Sequence, residues 1–337
     1  MAGGHGRQAI RTDGRRMLIN RDGWQYSGQT PAFFSGQSGC YCCGVGIGSL
    51  VSFYGANASQ VVQRDVDSYV VDSWTSKTDG PTPGRFYHGA ATVEGIAYVF
   101  GGTSNTAYLS DNESYVLSTD TFTAKTAMTA NRWYMAWFAN ATHVYSVAGY
   151  NSTNAQTRTT YQYSPSANSW ATKTDVPTPA RTATAGFMLA KGYCVAGSDG
   201  GTPMNDTDQY DTASDSWTSK TGINTSRVAH GAFALDGYGF ILLGDKLFST
   251  YADDAEKYNE GADTWTAGTA IGSGRDKRRN TGSQSPGSTG SGFVAGGIKP
   301  LGAGNTLQND EYNGSTWTNR ADMPTPARHG HAIAESV

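Results

Sequence analysis

The sequence predicts an all-β protein built from an internal repeat. Its 337 residues include 43 glycines and 12% aromatic residues, while charged residues make up only 16%. Such a composition favours short strands and turns over helices, and its aromatic content is too high for a disordered chain. The net charge of −3 provides no basic field for nucleic acid. No apolar run approaches the roughly 18 residues of a membrane span. We therefore expect neither nucleic-acid binding nor membrane insertion.

A four-part pattern recurs six times along the chain. Aromatic anchors stand 47 to 52 residues apart, at Trp74, Phe122, Trp170, Trp217, Trp265 and Trp317. An arginine follows each anchor by 10 or 11 residues, at Arg85, Arg132, Arg181, Arg227, Arg275 and Arg328. Apolar strands end in glycine at Gly55, Gly102, Gly149, Gly197, Gly244 and Gly297, and tyrosines follow at Tyr69, Tyr115, Tyr163, Tyr210, Tyr258 and Tyr312. This regularity predicts a repeat architecture.

The pattern resembles the kelch repeats, in which a glycine pair after an apolar strand precedes a tyrosine and a tryptophan at set spacing. The resemblance covers roughly residues 40–334. It implies a kelch-type β-propeller, in which each copy is one four-stranded blade around a central channel. Six tyrosine and aromatic-anchor pairs predict six blades. The C-terminal ARHGHAIAE matches the first strand of other copies and should close the ring with residues 40–74. A seventh, incomplete blade around GQSGCYCC is the alternative.

The six repeat arginines are the most prominent polar set, and two interpretations of them stay open. Each can pair with a carboxylate or with carbonyl groups between blades. Alternatively, Arg85, Arg132, Arg181, Arg227, Arg275 and Arg328 can point into the channel mouth and form a positive funnel for an acidic peptide or sugar carboxylate. The kelch resemblance supports the second interpretation, because relatives that bind acidic ligands use arginines at the channel mouth.

Two regions depart from the repeat. The sixth copy carries an insertion within RDKRRNTGSQSPGSTGSG, which predicts a solvated loop or a contact loop that uses Lys277, Arg278 and Arg279. The other region is an N-terminal arm, residues 1–39, which precedes the propeller of residues 40–337. The arm has five arginines, and its aromatic residues are Trp24, Tyr26, Phe33 and Phe34. Because aromatic and arginine side chains are enriched at protein interfaces, we predict a docking segment, with packing on the propeller as the alternative.

The sequence shows no assignable catalytic or metal-binding set. Three histidines share one repeat position, which indicates a structural role against the local backbone; they are His88, His230 and His331. Cys40, Cys42 and Cys43 lack the spaced partner pair of a zinc site, so we interpret them as buried thiols on a strand. Nucleotide-binding and hydrolase motifs are absent from the sequence. We expect no cofactor, no metal and no enzymatic activity.

The composition also bears on location. The surface is expected to be rich in Thr, Ser and Asn and poor in Lys, as in extracellular proteins, yet the first 22 residues resemble no secretory signal. A virion component, which reaches the outside by lysis, fits both observations. Junctions such as TDVPTPAR are also similar to those of phage-encoded kelch-like virion proteins.

The leading hypothesis is therefore a non-enzymatic structural or binding propeller displayed on a phage particle, as part of a multi-subunit assembly. Its arm would contact other virion proteins, and its propeller would bind a host surface protein or glycan or decorate the capsid. Two alternatives come from other classes. One is a cytoplasmic protein-interaction adaptor, although no partner domain such as a BTB module accompanies the repeats. The other is a sugar-modifying enzyme, such as a sialic acid mutarotase, which the kelch fold can support.

Overall fold

Every regular element in the described part of the chain is a β-strand. The structure is a computed structural model. It describes residues 8–10, 16–20, 23–25, 49–57, 62–70, 72–104, 106–177, 184–246, 251–271, 282–284, 291–299, 304–329 and 331–336. The chain forms two compact units, Met1–Gln37 and Ser38–Val337. The first unit therefore ends slightly before the predicted boundary at residue 39.

The first unit contains a small antiparallel sheet. Its strands are β1 (Gln8–Ile10), β2 (Arg16–Asn20) and β3 (Gly23–Gln25). Leu18 lies opposite both Gln8 and Gln25, so β2 is the central strand. These strands pair with one another and contribute none to the sheets of the second unit.

The second unit consists of six four-stranded antiparallel sheets, the blades. Blade 1 contains β4 (Ser49–Ala56), β5 (Val62–Val70) and β6 (Ser73–Ser76). Blade 2 contains β7 (Gly89–Val93), β8 (Ile96–Phe100), β9 (Asn112–Val116) and β10 (Thr121–Lys125). Blade 3 contains β11 (Ala136–Ala139), β12 (Val144–Val147), β13 (Thr160–Ser164) and β14 (Ser169–Lys173).

The remaining blades follow the same order along the chain. Blade 4 contains β15 (Ala185–Met188), β16 (Gly192–Asp199), β17 (Thr202–Asp211) and β18 (Ser216–Lys220). Blade 5 contains β19 (Gly231–Leu235), β20 (Tyr238–Leu242), β21 (Ala255–Asn259) and β22 (Thr264–Ala267). Blade 6 contains β23 (Gly282–Gln284), β24 (Gly292–Ala295), β25 (Asn309–Tyr312) and β26 (Trp317–Arg320). The last strand, β27 (Ala332–Ser336), pairs with β4 and completes blade 1.

The six inner strands form a closed ring. Each contacts the next, in the order β27, β7, β11, β15, β19 and β23, and β23 returns to β27. Ala332 lies opposite Phe53 and Ser336 opposite Ser49, so the C-terminal strand supplies the inner strand of blade 1. The prediction of a six-bladed propeller closed by this strand is confirmed, and the seven-bladed alternative is wrong.

Burial differs between the second and the fourth strand of a blade. In β8 and β20 the last four of the five residues are buried, as expected for a strand covered on both sides by neighbouring blades. In β10, β14 and β18 no residue is fully buried, and the exposed positions hold threonine, serine and alanine. The apolar core therefore lies within and between the blades, and the outer strands face solvent.

Neighbouring blades approach closely where a phenylalanine of one inner strand meets a glycine in the next blade. A Cβ at Gly239 of β20 would lie 2.2 Å from the ring of Phe187 in β15. The same relationship joins Phe233 of β19 to Gly292 of β24, where the distance would be 2.0 Å. Any larger residue would push the two blades apart, so these glycines set the spacing between blades.

The repeat tryptophans form hydrogen bonds between adjacent blades. The indole N–H of Trp217 in blade 4 donates to the carbonyl of Thr174, which follows the outer strand of blade 3, at 2.9 Å. The same bond recurs, at 2.9–3.0 Å, from Trp74 to Ala321, Trp170 to Thr126, Trp265 to Thr221 and Trp317 to Thr269. Phe122 has no indole N–H, so blade 2 is joined to blade 1 by other contacts.

One of those contacts comes from the turn before each outer strand. The carboxylate of Asp120 accepts two hydrogen bonds. One comes from the hydroxyl of Tyr115 at 2.7 Å, and the other from the backbone N–H of Thr78 in blade 1 at 3.1 Å. Although partial desolvation opposes the shift, these hydrogen bonds hold the pKa of Asp120 below its ordinary value. Asn168 accepts the equivalent pair of bonds in blade 3, so the contact needs an acceptor oxygen and not a charge.

Candidate functional site

Arg227 shows the environment of a repeat arginine. Its side chain is 0% exposed, and its guanidinium donates to Glu256 Oε1 at 2.6 Å and to Asp254 Oδ1 at 3.2 Å. A third hydrogen bond, 3.2 Å long, goes to the carbonyl of Leu243 just after β20. Arg227 therefore ties the segment before β19 to the second and third strands of its own blade.

The other described repeat arginines are buried in the same way. Each bonds to one repeat position of the third strand, and the pairs are Arg85–Glu113, Arg328–Asp67 and Arg132–Tyr161. A buried guanidinium needs such a partner, because desolvating an uncompensated charge is costly. Arg85, Arg227 and Arg328 pair with carboxylates, whereas Arg132 donates to the Tyr161 hydroxyl and to the carbonyl of Asn131. All four are buried within their own blades, not between blades, and so do not form a positive funnel at the channel mouth. Arg181 and Arg275 lie outside the described residues.

The repeat histidines lie beside these arginines and are also buried. Burial, together with the charge of Arg227, lowers the pKa of His230 to about 3. Burial and the charges of Arg85 and His331 lower the pKa of His88 well below its ordinary value. Neither ring nitrogen of His88 or of His230 has a hydrogen-bond partner within ordinary geometry among the described residues. The two histidines share burial at one repeat position, and their predicted role in satisfying the local backbone stays a prediction.

The other predicted contact residues are largely outside what the structure describes. Those in undescribed ranges are Lys277, Arg278 and Arg279 of the insertion, Tyr26, Phe33 and Phe34 of the arm, and Cys40, Cys42 and Cys43. Trp24 lies in β3, where its backbone pairs with that of Ile19. The roles assigned to the arm and to the insertion therefore stay predictions.

A different surface, which the sequence analysis did not single out, lies where β7 and β11 begin. The backbone N–H of Trp133 donates to the carbonyl of Tyr150 at 3.1 Å, and the N–H of Tyr150 donates back to Trp133 at 2.8 Å. Phe86 and Thr103 are joined in the same reciprocal way in blade 2, at 3.0 and 2.9 Å. Each residue after a repeat arginine is thereby held beside the residue after a repeat glycine.

Glycine makes this close pairing possible. Gly149 has a φ of +87°, and a Cβ at this position would lie 2.7 Å from the carbonyl oxygen of Trp133. Gly102 has a φ of +92°, and its Cβ would lie 2.9 Å from the carbonyl oxygen of Phe86. A larger residue would therefore clash as well as strain the backbone.

Trp133 lies at the centre of an aromatic cluster between blades 2 and 3. Its ring stacks on those of Tyr150, Tyr108 and Tyr134, with centroids 4.7, 5.7 and 5.9 Å apart. Tyr87 joins the cluster, 4.2 Å from Tyr134 and 6.0 Å from Trp133. All five rings belong to partly exposed residues. A patch of contiguous, partly exposed aromatic rings is typical of binding surfaces.

The cluster borders an open cavity of about 630 Å³. Its described lining residues are Phe86, Tyr87, Thr103, Ser104, Thr106, Ala107, Tyr108, Trp133, Tyr150 and Asn154. They combine aromatic faces with hydroxyl and amide groups and include no Asp, Glu, Lys, Arg or His. Aromatic walls with a few polar groups are the usual composition of a small-ligand site.

Two tyrosines of the cluster have backbones in the left-handed region. The φ of Tyr87 is +54° and that of Tyr134 is +58°. Ala229, at the same repeat position in blade 5, has a φ of +53°, so the fold requires this conformation at the position whatever the side chain. A bulky residue adopts it at a cost in free energy. The turn itself therefore does not explain the large side chains of Tyr87 and Tyr134.

A departure from the repeat was the signal that could have revealed this cluster in the sequence. Two aromatic residues follow the arginine in GRFYHG and NRWYMA, whereas the equivalent positions read Thr-Ala after Arg181, Val-Ala after Arg227 and His-Gly after Arg328. The aromatic pair thus occurs in two adjacent blades. Residues that recur in every copy of the repeat indicate the fold, whereas residues that differ at equivalent positions indicate the candidate site.

The described part of the chain offers no metal site and no membrane-spanning helix. No three His, Cys, Asp or Glu side chains among those residues come close enough to hold a metal ion. Cys194 lies buried in β16, with its sulfur 3.4 Å from Thr184 Oγ1. None of the described residues forms a helix of the length and apolarity that a membrane crossing requires.

The fold and the repeat define a six-bladed β-propeller with a kelch motif. The Kelch motif family model matches residues 84–129, which contain blade 2. Among solved structures, that of YjhT is similar, with a TM-score of 0.64 and 14% identity over 76% of this chain and 91% of that chain. At this identity the likeness shows the fold alone. No curated protein sequence matches the chain.

Proposed function

We propose that this protein is a non-enzymatic binding propeller displayed on a phage particle, and that the face bearing the aromatic cavity contacts a host-surface component. The cavity carries this proposal, because aromatic rings and short polar side chains are concentrated in two adjacent blades. The kelch propeller fold supports a binding or structural role. The same fold also serves enzymes, so the argument for binding comes from the site.

The particle location is supported by the sequence. Few charged residues, the TDVPTPAR-type junctions and an arginine-rich, aromatic-rich arm are the features on which it rests. The arm would then contact other virion proteins, while the propeller stays available to the host. In this arrangement the insertion loop with Lys277, Arg278 and Arg279 is a further candidate contact.

The location can be tested on phage particles from a lysate of the native host. Antibodies raised against residues 40–337 should label purified particles in electron micrographs, and the protein should remain with them through a density gradient. Recovery only in the soluble fraction, bound to a cellular protein, would instead support the cytoplasmic adaptor and refute the proposal.

The binding role needs its own test. Purified protein should bind host cells and compete with the adsorption of particles, and it should leave candidate sugars chemically unchanged. Acceleration of the anomer exchange of N-acetylneuraminic acid, followed by proton NMR, would support the mutarotase alternative and contradict a non-enzymatic role. A heat-unfolded sample is the matched control for both measurements.

A further inference from the structure

We propose that the cavity between blades 2 and 3 binds uncharged sugar units of a host-surface glycan, with Trp133 and Tyr150 as the stacking platform. This inference deepens the proposed function and rests on its binding role. It names a site and a ligand class, and both can be tested on the purified chain without knowledge of the particle.

The ring arrangement is the first reason. Trp133 and Tyr150 are stacked, with 27° between their planes, and Tyr108 lies at 14° to Trp133. Backbone hydrogen bonds between the two loops hold Trp133 beside Tyr150, and both residues are partly exposed at the cavity. A pyranose ring has an apolar face of C–H groups, which packs on the electron-rich face of an aromatic ring.

The polar lining is the second reason. Thr106 and Asn154 are exposed lining residues. Ser104 Oγ lies 3.3 Å from Thr106 Oγ1 and accepts the backbone N–H of Ala107 at 3.0 Å. Hydroxyl and amide groups both donate and accept hydrogen bonds, as sugar hydroxyls do. Aromatic faces beside such groups match the two surfaces of a sugar, one apolar and one polar.

Charge is the third reason. The described lining residues include no side chain that is charged at neutral pH. A carboxylated or phosphorylated ligand would lose hydration in the cavity without gaining a countercharge from these residues. Uncharged sugars carry no such cost. The volume of about 630 Å³ also lies within the range of roughly 300–1,000 Å³ typical of small-ligand sites, so a short oligosaccharide fits.

The fourth reason is that the repeat alone does not require these side chains. Val228 and Ala229 hold the positions of Trp133 and Tyr134 in blade 5, with the same reciprocal backbone pairing to the segment after the glycine. The aromatic residues are therefore additional to the fold, and two of them carry a strained backbone. The fold imposes this conformation on Ala229 as well, and a bulky side chain adds to its cost, so the two tyrosines are kept for a reason other than the turn.

An extended proline-rich peptide is the main competing ligand, because such peptides also dock on aromatic grooves. Its recognition needs donors for backbone carbonyls but few acceptors. The hydroxyl of Thr106 and the side-chain amide of Asn154 provide both, which favours a sugar.

The test uses the full chain, isothermal titration calorimetry and saturation-transfer NMR. The probes are neutral oligosaccharides of four to six units, built from glucose, galactose, mannose or N-acetylglucosamine. Comparison ligands are 3′-sialyllactose and a proline-rich decapeptide. We expect at least one neutral oligosaccharide to bind with a Kd of about 1 mM or tighter, and its saturation to arise from aromatic protons.

Three variants follow residues that the chain already uses at equivalent positions. Trp133→Val copies Val228, and Tyr87→Ala copies Ala229, so both should fold. Each should weaken oligosaccharide binding at least about tenfold, which corresponds to about 1.4 kcal/mol. Trp217→Phe, on the outer strand of blade 4, copies Phe122 and should leave binding unchanged. Melting curves show whether all three variants are folded.

Several outcomes would overturn the sugar assignment: no binding by any neutral oligosaccharide, binding of only the peptide or sialyllactose, or binding unaffected by Trp133→Val. The two proposals can fail separately. Loss of host-cell binding in Trp133→Val without any sugar binding would keep the proposed function and refute the ligand class. Sugar binding that depends on Trp133, in a protein that is not on particles, would refute the location alone.

Discussion

The indole N–H of Trp74 donates a 2.9 Å hydrogen bond to the carbonyl of Ala321, 247 residues further along the chain. The backbone N–H of Ala321 in turn donates to the carboxylate of Asp72 at 2.6 Å. These two bonds join the outer strands of blades 1 and 6, and pairing between β27 and β4 joins the inner part of blade 1. Closure of the ring therefore depends on both ends of the propeller.

Deletion of residues 325–337 should open this ring. It removes β27, exposes the hydrogen-bonding edge of β4 and takes Ile333 and Ala334 out of the core. We expect loss of the cooperative melting transition or a fall in Tm of more than about 10 °C, measured by calorimetry and circular dichroism. Trp74→Phe, which copies Phe122, is the mild control and should cost about 1 kcal/mol. An unchanged melting curve for the deletion would show that β27 does not close the ring.

Arg227→Ala should be strongly destabilising. It leaves Glu256 buried without its cation, and breaking such a pair costs about 3–5 kcal/mol. The matched control is Arg320→Ala, because Arg320 pairs with Glu311 near the surface and its side chain is 34% exposed. That loss should be at most about 1 kcal/mol. Urea unfolding of both variants gives the two free energies, and equal losses would contradict the structural role assigned to Arg227.

The free energy of unfolding should decrease as the pH is lowered below about 6.5, because of the repeat histidines. The pKa of His230 is about 3 in the folded protein against 6.5 for an unperturbed histidine, so the unfolded chain binds the proton more readily. The stabilisation is therefore complete above pH 6.5 and is lost progressively as the pH falls towards 3, with a slope of up to about 1.4 kcal/mol per pH unit. His88 contributes in the same direction.

His230→Met tests this dependence, because Met135 occupies the equivalent position in blade 3. The free energy of unfolding, measured in urea between pH 7 and 4.5, should depend less steeply on pH in the variant by close to one proton. Comparison of slopes, not of absolute stabilities, separates the titration from any change in packing. Identical slopes would show that His230 does not titrate in this window.

Removal of residues 1–34 should leave the melting temperature of the propeller nearly unchanged, because β1–β3 contribute no strand to the blades. If the arm anchors the chain to a larger assembly, the same deletion should abolish co-sedimentation with particles. Trp24→Ala should weaken attachment by roughly 2–4 kcal/mol if this side chain is central to the contact. If the deleted protein still attaches to particles, the arm is not the anchor. If the deletion unfolds the propeller, the arm is part of the propeller fold.

The sequence predicted the fold because each blade repeats the same requirements. Tyrosine and an aromatic anchor pack between blades, glycine ends the second strand, and ARHGHAIAE matches an inner strand, so blade number and closure followed. The environment of Arg227 could not be decided in this way, because a recurring arginine fits either a buried pair or a channel mouth. Only the position of Glu256, 29 residues away, distinguishes them.

The aromatic cavity was missed for a different reason. Tyr87, Tyr108, Trp133 and Tyr150 come from four loop segments, and stacking of blades 2 and 3 brings them together. A motif search along the chain does not combine such residues. Reciprocal backbone hydrogen bonds between loops place these residues next to one another. Those bonds can be predicted only when the strand register of each blade is known.

The two-ended construction of blade 1 also imposes an order on folding. Blades 2–6 are each made from one continuous stretch, so their strands can pair as soon as they are synthesised. Strands β4–β6 are made before those blades, but β4 acquires its inner neighbour only when Ala332–Ser336 arrives. This pairing joins the two ends of the propeller sequence, and contacts of such long sequence separation form slowly. Until then β4 presents an unpaired edge, the point at which a nascent chain is most exposed to aggregation or to capture by a chaperone.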